Sequence, residues 1–330
     1  MKKTWAALVA VAVVAGSTFV ALDATASSTG PVSSVVKVWT EPQSGYGFLH
    51  DAIVGAHRTI DISIYELSDK TIEDELIARA RAGVIVRVLL NSAYYGRSDN
   101  APAAALLRAG FVHVAWAPSG QIFHAKYVVV DDHALYLGTG NLVVSDYSST
   151  RDFWVEDTTV RDVVAATATF NADFSHDNVA PQSASGLVWS PGSTSALVNL
   201  IDSARATLLV ENEEMDNTSV EQALSAAARR GVNVKVVMTY SSEWTSALAQ
   251  LKAAGVKVST LGPSQIYIHA KVICADCTAT SGAVFIGSEN FSTSSLSYNR
   301  ELGVLTTSSI AVRAVTHAVD ADYALGRVAS

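Results

Sequence analysis

The chain has 330 residues, of which 49% are hydrophobic and 16% are charged, and its formal net charge at pH 7 is −8. An acidic chain argues against nonspecific nucleic-acid binding, because such binding needs a basic face to displace counterions from the phosphates. The length suffices for two domains of ordinary size or one large one.

The first 26 residues are typical of a secretory signal peptide. Two lysines precede an apolar run at 5–15, and the Ala-Thr-Ala sequence at 24–26 gives a small-x-small cleavage pattern. We expect cleavage near Ala26, a flexible segment at 27–34, and a secreted protein, extracellular or periplasmic. The alternative is a membrane anchor, but Gly-Ser-Thr at 16–18 interrupts the run well short of the ~20 residues that a spanning helix needs.

The remainder of the chain repeats one order of elements. A helix and a β-branched strand come first, then an amphipathic helix, a Gly turn and an apolar strand, then a helix end and another strand. His124 and His269 lie 145 residues apart, and Gly83 and Gly231 lie 148 apart, so the order is preserved and indicates a duplication. These units occupy 46–66, 72–91 and 106–117 in the first half and 193–213, 220–239 and 251–262 in the second.

Helices alternating with apolar strands predict an α/β fold with helices on both faces of a buried sheet. We predict two pseudo-twofold-related α/β/α domains, each a mostly buried mixed sheet flanked by helices. The first copy is placed at 35–182 and the second at 183–330, because Pro, Ser and Gly interrupt the pattern at 178–186. No later segment resembles a transmembrane helix, so we expect a soluble monomer that contains an internal pseudo-dimer.

Each copy carries a His-x-Lys pair at the start of an apolar strand and an Asn at the end of another. Alternate residues of a strand share a face, so each imidazole and ammonium project together. A hairpin would return each Asn to its own His and Lys. The residues are His124, Lys126 and Asn141 in the first copy and His269, Lys271 and Asn290 in the second.

Paired lysines, paired amides and two histidines suit a phosphodiester. Lysine ammonium and asparagine N–H groups can hold the nonbridging oxygens. One histidine can attack phosphorus while the other protonates the departing oxygen. Because a single copy supplies one histidine, we predict that both copies face one shared site. The alternative is that the histidines are core residues of an inactive duplicate.

The chain resembles the phospholipase D superfamily, whose hallmark is a duplicated His-x-Lys-x4-Asp motif. The resemblance covers about residues 35–330 and implies a phosphohistidine intermediate formed without a metal ion or other cofactor. It also implies that His124 is the nucleophile, that His269 is the general acid, and that Asp131 and Asp276 serve structure near the strand ends. The resemblance rests on His124, Lys126, Asp131, Gly138 and Asn141 in the first copy and on His269, Lys271, Asp276, Gly287, Ser288 and Asn290 in the second.

The histidines need separate carboxylates to fix their tautomers. Asp152 and Glu301 each follow the Asn of their own copy by eleven residues and are assigned to this role. Glu156 is a weaker alternative to Asp152. The copies differ at Gly140 against Glu289, where we expect fine tuning and no loss of activity.

Aromatic residues follow two of the predicted strands and are expected to edge the cleft, with Tyr240 among them. They suit a lipid interface or a stacked base equally, and simple loop packing is the alternative. The residues assigned to substrate binding are Thr139, Ser288, Tyr94, Tyr95 and Trp244.

An acidic cluster ends another strand. If it faces the cleft, it would repel a polyanionic backbone and attract an amine headgroup; the alternative is a solvated surface. Its members are Glu211, Glu213, Glu214 and Asp216.

Cys274 and Cys277 are the two cysteines of the chain. In an oxidising compartment we expect a local disulfide that closes a turn. A redox Cys-x-x-Cys pair and half of a zinc site are the alternatives.

Together these features predict an exported phospholipase D that hydrolyses or transfers glycerophospholipid headgroups at a membrane or micelle interface. A secreted, metal-independent nuclease of the same superfamily is the alternative, with nucleic acid as its partner. A noncatalytic binding module is the third reading, which two intact motifs disfavour.

Overall fold

The computed structural model describes residues 34–94, 96–177, 179–182, 184, 186–262, 264–278 and 281–328. The predicted signal peptide, most of the segment expected to be flexible, and Tyr95 lie outside the described residues. Within those ranges, no helix has the length and apolar character needed to cross a membrane.

The first half folds around a mixed sheet. Its strands run in the order β1-β7-β6-β5-β2-β3-β4, with β2, β3 and β4 parallel and the other neighbours antiparallel. The strands are β1 (Val35–Glu41), β2 (Thr59–Ile64), β3 (Ile85–Leu90), β4 (His113–Trp116), β5 (Tyr127–Val130), β6 (Ala134–Gly138) and β7 (Thr150–Asp157). The helices are α1 (Gly47–Val54), α2 (Lys70–Arg81), α3 (Gly96–Asp99), α4 (Ala101–Ala109) and α5 (Val160–Ser175).

The second half repeats this topology strand for strand. Its sheet consists of β8 (Leu187–Ser190), β9 (Thr207–Glu211), β11 (Asn233–Thr239), β12 (Lys257–Leu261), β14 (Val272–Ala275), β15 (Ala283–Gly287) and β17 (Glu301–Thr306). The order is β12-β11-β9-β14-β15-β17-β8, which matches the first sheet and confirms the predicted fold class. Short strands are β10 (Met215–Asp216), β13 (Tyr267–Ile268) and β16 (Phe291–Ser292), and helices are α6 (Thr194–Ser203), α7 (Thr218–Arg229), α8 (Thr245–Ala253), α9 (Thr293–Ser297) and α10 (Ser309–Val328).

Equivalent local signals start and end α2 and α7. The Asp69 side chain accepts from the backbone of the first turn of α2, and the Asn217 side chain does the same for α7, so both helices are capped. Each helix is followed by a glycine with positive φ, +92° at Gly83 and +91° at Gly231. A side chain is disfavoured in that conformation, so glycine allows the chain to turn into the next strand.

Hydrophobic layers alternate with the two sheets. Helices α1, α2 and α4 cover the outer face of the first sheet, and α6, α7 and α8 cover the outer face of the second. Between the sheets lies a shared core in which Phe170 of α5 and Val315 of α10 are fully buried. The two halves are therefore packed into one unit, with the inner faces of both sheets turned toward each other.

The histidine segments cross between the halves. Phe123 forms a parallel bridge with Arg300, and β13 pairs in parallel with β7. The His124 N–H donates to the Arg300 carbonyl at 2.8 Å, and the His269 N–H donates to the Arg151 carbonyl at 3.2 Å. Each histidine is thus fixed against a strand of the opposite half.

Two equivalent arginines fasten these strand starts to the central helices. Arg151 donates to both carboxylate oxygens of Asp322 on α10, at 2.6 and 3.0 Å. Arg300 donates to Asp173 on α5 at 3.0 Å. Because both ion pairs are buried, removal of either partner would leave an uncompensated charge beside the histidine segments.

The motif aspartates lie at the opposite ends of β5 and β14 from the histidines. Asp131 accepts hydrogen bonds from the backbone N–H groups at 57–59, and Asp276 accepts from those at 205–207. Their contacts are structural, because they tie the entry of β2 and β9 to the end of the neighbouring strand. Cys274 and Cys277 form a disulfide at this end of β14.

Candidate active site

Each histidine is paired with a carboxylate of the other half. His124 Nδ1 lies 2.9 Å from Glu301 Oε2, and His269 Nδ1 lies 2.8 Å from Asp152 Oδ1. A carboxylate at Nδ1 holds a proton there and leaves Nε2 as the nitrogen available for chemistry. Both imidazoles line one cavity of about 510 Å³, so the two copies share a single site.

The two carboxylates are buried and held by hydroxyl and amide donors. Thr139 Oγ1 donates to Asp152 at 2.5 Å, while Ser295 Oγ donates to Glu301 at 2.7 Å. Burial alone would raise the pKa of each carboxyl, but its histidine and a nearby lysine bring the pKa below the usual range. Both groups are therefore ionised and orient their histidines.

The substrate-binding assignment of Thr139 and Ser288 does not match their positions. Both side chains are fully buried. Thr139 binds Asp152, and the Ser288 hydroxyl binds Glu301 and accepts from the Leu302 N–H at 3.1 Å. They support the carboxylates from behind, and their hydroxyls are engaged by those carboxylates and by the backbone.

The motif lysines are buried beneath the cavity. Lys126 Nζ donates to the His124 carbonyl at 2.6 Å, and Lys271 Nζ donates to the His269 carbonyl at 2.5 Å. Lys271 also donates to Glu213 Oε2 at 2.9 Å, whereas Lys126 faces the Tyr65 ring with its Nζ 5.2 Å from the centroid. The second-half lysine is thus in direct contact with a carboxylate, whereas the first-half lysine contacts an aromatic face and has carboxylates such as Glu301 only nearby.

Burial dominates the titration of the first-half groups. It lowers the pKa of His124 to about 4, although Glu301 acts in the opposite direction. It lowers the pKa of Lys126 to about 7, again against Glu301 and with Lys271 adding to the effect. His124 is therefore neutral at neutral pH, with a lone pair on Nε2.

Asparagines and acidic residues also line the cavity. Asn141 and Asn290 both line it, and Asn290 Nδ2 donates to Glu214 Oε1 at 2.9 Å. Burial raises the pKa of Glu66 and Glu214. Burial would also raise the pKa of Glu213, but Lys271 and His269 hold it well below the usual range. Of the predicted acidic cluster, Glu213 and Glu214 line the cavity; Glu211 is fully buried in β9, and Asp216 is exposed.

The aromatic residues expected at the cleft divide between neighbouring cavities. Tyr94 is 80% exposed and lines a separate cavity of about 470 Å³ with Tyr298, so it does not edge the histidine cavity as predicted. Trp244 and Tyr240 line a cavity of about 180 Å³ that shares Glu213, Glu214 and Tyr267 with the histidine cavity. The loop after β3 turns outward, which sequence alone does not reveal.

Six residues that line the cavity were not predicted from the sequence: Tyr65, Glu66, Asp146, Ser149, Thr150 and Tyr267. The first two could have been found from the duplication, because β2 and β9 are equivalent strands and Tyr65 and Glu66 occupy the positions of Glu213 and Glu214. Tyr267 precedes His269 by two residues and stacks near it, with ring centroids 6.5 Å apart. Across the described ranges, no group of three or more His, Cys, Asp or Glu residues is arranged to hold a metal ion.

Comparisons with known proteins agree with this geometry. A family model described as "Cardiolipin synthase, PLD-like domain" matches residues 49–177 and 197–323. Phosphatidylserine synthase from Haemophilus influenzae Rd KW20 superposes with a TM-score of 0.67 at 11% identity, over 87% of this chain and 85% of that one. Polyphosphate kinase from Porphyromonas gingivalis superposes with a TM-score of 0.66 at 17% identity, over 86% of this chain.

At such identities the two structures show a shared fold alone. The chain spans 50% of the length of that polyphosphate kinase, and a search of curated protein sequences found no match. The family model, by contrast, covers most of both halves and meets both histidine motifs. The chain belongs to the phospholipase D superfamily, as a protein with two PLD-like domains.

Proposed function

We propose that the protein is a phosphodiesterase of phospholipase D type that acts on glycerophospholipid headgroups through a phosphohistidine intermediate. The observation that carries this proposal is the crossed pairing: two imidazoles, each oriented by a carboxylate of the opposite half, in one cavity above two buried lysines. Such a site can attack a phosphorus atom from one side and protonate a leaving oxygen from the other.

In the first step, His124 Nε2 forms a bond to phosphorus as the bond to the headgroup oxygen breaks, and His269 gives its proton to that oxygen. In the second step, neutral His269 takes a proton from water as the water oxygen attacks phosphorus, and the P–N electron pair returns to His124. Lys126, Lys271 and the asparagine amides would hold the nonbridging oxygens as charge develops on them. An alcohol in place of water would take the phosphatidyl group from His124 and give up its proton to His269, so the lipid would exchange its headgroup.

The charge of the cavity supports a lipid over a nucleic acid. Its lining includes the carboxylates of Glu66, Asp146, Glu213 and Glu214, which would repel the neighbouring phosphates of a polyanionic strand. A headgroup that is neutral or carries an amine meets no such repulsion. The adjoining cavity with Tyr240 and Trp244 offers aromatic faces on the same side.

The test compares two substrates in the presence of a chelator. We expect the purified protein to release headgroup from phosphatidylcholine micelles and to leave single-stranded DNA intact. Addition of a short alcohol should produce the transferred phospholipid if transfer competes with hydrolysis. Cleavage of DNA with inert lipid would replace the proposal with a nuclease, and inactivity on both would favour a binding module.

We further propose export after cleavage near Ala26, supported by the leader-like sequence of the first 26 residues. Expression of the full chain in a bacterial host followed by N-terminal sequencing of the exported protein tests this point. A start near Ser27 is expected, and retention of the whole chain in the membrane fraction would contradict it.

A further inference from the structure

The two halves differ most at one position of the site. Ser63 of β2 pairs with Tyr127, and Glu211 of β9 pairs with Val272, which makes these strands equivalent residue by residue. Two residues further along, the first half has Tyr65 and the second has Glu213. A tyrosine and a glutamate therefore occupy the same place beside the two motif lysines.

Glu213 contacts both the histidine and the lysine of the second-half motif. Its Oε2 lies 2.9 Å from Lys271 Nζ and 3.6 Å from His269 Nε2, and its Oε1 accepts from the Tyr267 hydroxyl at 2.8 Å. Asp152 already lies at the other ring nitrogen of His269, at 2.8 Å. With a carboxylate at each nitrogen, the ring is best satisfied as an imidazolium that carries a proton on both.

His124 has a different surrounding. Glu301 lies at its Nδ1, but the first half offers Tyr65, whose ring meets the imidazole edge-on at 4.8 Å and 72°. Lys126 adds positive charge nearby. One carboxylate and one ammonium favour a neutral ring with a proton on Nδ1 and a lone pair on Nε2.

We infer that Glu213 is a positioning residue that keeps a proton on Nε2 of His269, so that His269 serves as the general acid and His124 as the nucleophile. This inference rests on the proposed function, because both roles belong to the cleavage of a phosphodiester. Glu213 acts through two neighbours, His269 and Lys271. When substrate binds, the Lys271 ammonium must leave the Glu213 carboxylate in order to contact a phosphate oxygen. The charged and titratable groups that face His269 are Asp152, Glu213, Glu66, Lys271 and Tyr267.

Glu213→Gln and Glu213→Tyr test this role, and the second variant places the first-half residue in the second half. Without the carboxylate, protonation of a poor leaving group becomes limiting, so kcat on phosphatidylcholine should fall about tenfold or more. KM should fall as well, because Lys271 no longer has to leave a carboxylate to bind phosphate.

A substrate with a leaving group that needs no proton separates this role from a structural one. With bis(p-nitrophenyl) phosphate, both variants should retain kcat within about threefold of wild type, since p-nitrophenolate departs without a general acid. Glu213→Asp should restore part of the phosphatidylcholine rate. Equal losses on both substrates would overturn the inference. Asp51→Asn on the surface of α1 removes the same charge and serves as the control.

Mass spectrometry of the His269→Ala protein after reaction with bis(p-nitrophenyl) phosphate distinguishes the two proposals. Formation of the phosphohistidine needs no general acid with this substrate, whereas its hydrolysis needs His269 as the base. In the His269→Ala protein a nitrophenylphosphoryl adduct should therefore accumulate on His124. If the His124→Ala protein formed an adduct on His269 as fast as the His269→Ala protein forms one on His124, the role of Glu213 would be overturned. The proposed function would stand in that case. The absence of an adduct from wild type and both variants would overturn the phosphohistidine mechanism itself.

Discussion

The two halves of the site share a frame and differ in charge. In both, a histidine is oriented by the opposite half and a buried lysine donates to the carbonyl of that histidine. In the first half, Tyr65 lies beside the lysine; in the second, Glu213 does. Duplication thus preserved the geometry needed to hold a phosphate, and divergence at one position gave the two sides of the phosphate different chemistry.

The halves also differ behind the carboxylates. A side chain at Gly140 would collide with the Tyr46 hydroxyl, beside Asp152. The equivalent Glu289 is fully buried and lies against Gly287 and Gly303 on the second-half sheet. The sequence difference between Gly140 and Glu289 is therefore accommodated by Tyr46, which fills the space on one side only.

Substitution of the site histidines should have the largest effect, and it tests whether either half is active alone. His124→Ala and His269→Ala should each reduce phosphatidylcholine turnover by roughly 10³-fold or more, and the double variant should lose little beyond that, because the two groups act as a unit. The measurement is steady-state headgroup release. His133→Ala, on the exposed turn after β5, is the control and should keep wild-type rates. Near-normal turnover in either single variant would show that the halves hold separate sites.

Removal of the crossed carboxylates should have the next largest effect. Asp152→Asn and Glu301→Gln disturb the tautomer of the opposite histidine, and each should lower kcat by about 10²-fold, by analogy with the aspartate of a catalytic triad. Glu156→Gln is a matched control, since Glu156 pairs with Lys37 at the surface of β7. Rates near wild type for Asp152→Asn, or equal losses for Glu156→Gln, would contradict the crossed arrangement.

The pH dependence of kcat/KM should reveal whether the two motif lysines differ. His124 must be neutral and Lys126 charged in the free enzyme, so kcat/KM should rise as pH increases through about 4 and fall as pH increases through about 7. Lys126→Arg should retain its charge above about pH 7, so an upper flank that remains in this variant belongs to another group. Lys126→Met should lower kcat/KM about tenfold and Lys271→Met less, because Glu213 already offsets the second ammonium. Equal losses for the two Met variants would show that the halves are electrostatically alike.

Much of this arrangement could be predicted from the printed sequence. The duplicated motif located both histidines, both lysines and both asparagines, and equal offsets located Asp152 and Glu301. What the sequence could not show is the crossing, because it depends on strands of one half pairing with the other. Whether a carboxylate follows its own histidine in the chain says nothing about which imidazole it meets.

Residues of the right type can also be directed away from the cavity when they follow the end of a strand. Thr139 and Ser288 have the hydroxyls expected of substrate contacts, yet they lie behind the carboxylates and are hydrogen-bonded to them. Tyr94 follows the predicted strand, but its loop directs it to a different cavity. The alternation of side chains predicts which face of the sheet a residue occupies within a strand. It does not predict the direction of residues that follow the last residue of the strand.

The smallest effect concerns stability and belongs to the second half alone. Glu289 is fully buried, and burial, with Glu301 nearby, raises the pKa of this group well above 4.5, although the backbone N–H groups of Ser288 and Glu289 act in the opposite direction. The folded protein therefore keeps Glu289 protonated where the unfolded chain releases the proton. Because the folded state binds more protons above about pH 4.5, this group lowers stability as pH rises.

Glu289→Gln removes that dependence. We expect the variant and the wild type to melt together near about pH 4, and the variant to melt higher at about pH 8, by about 2–4 °C per kcal/mol relieved. Thermal unfolding across this pH range, with Asp51→Asn as the control for a lost surface carboxylate, measures the difference. A melting difference that stays constant with pH would mean that Glu289 is ionised in the folded protein. The first half has glycine at the equivalent position and no ionisable group there. The pH dependence therefore measures the loss of folding stability that Glu289 causes in the second copy.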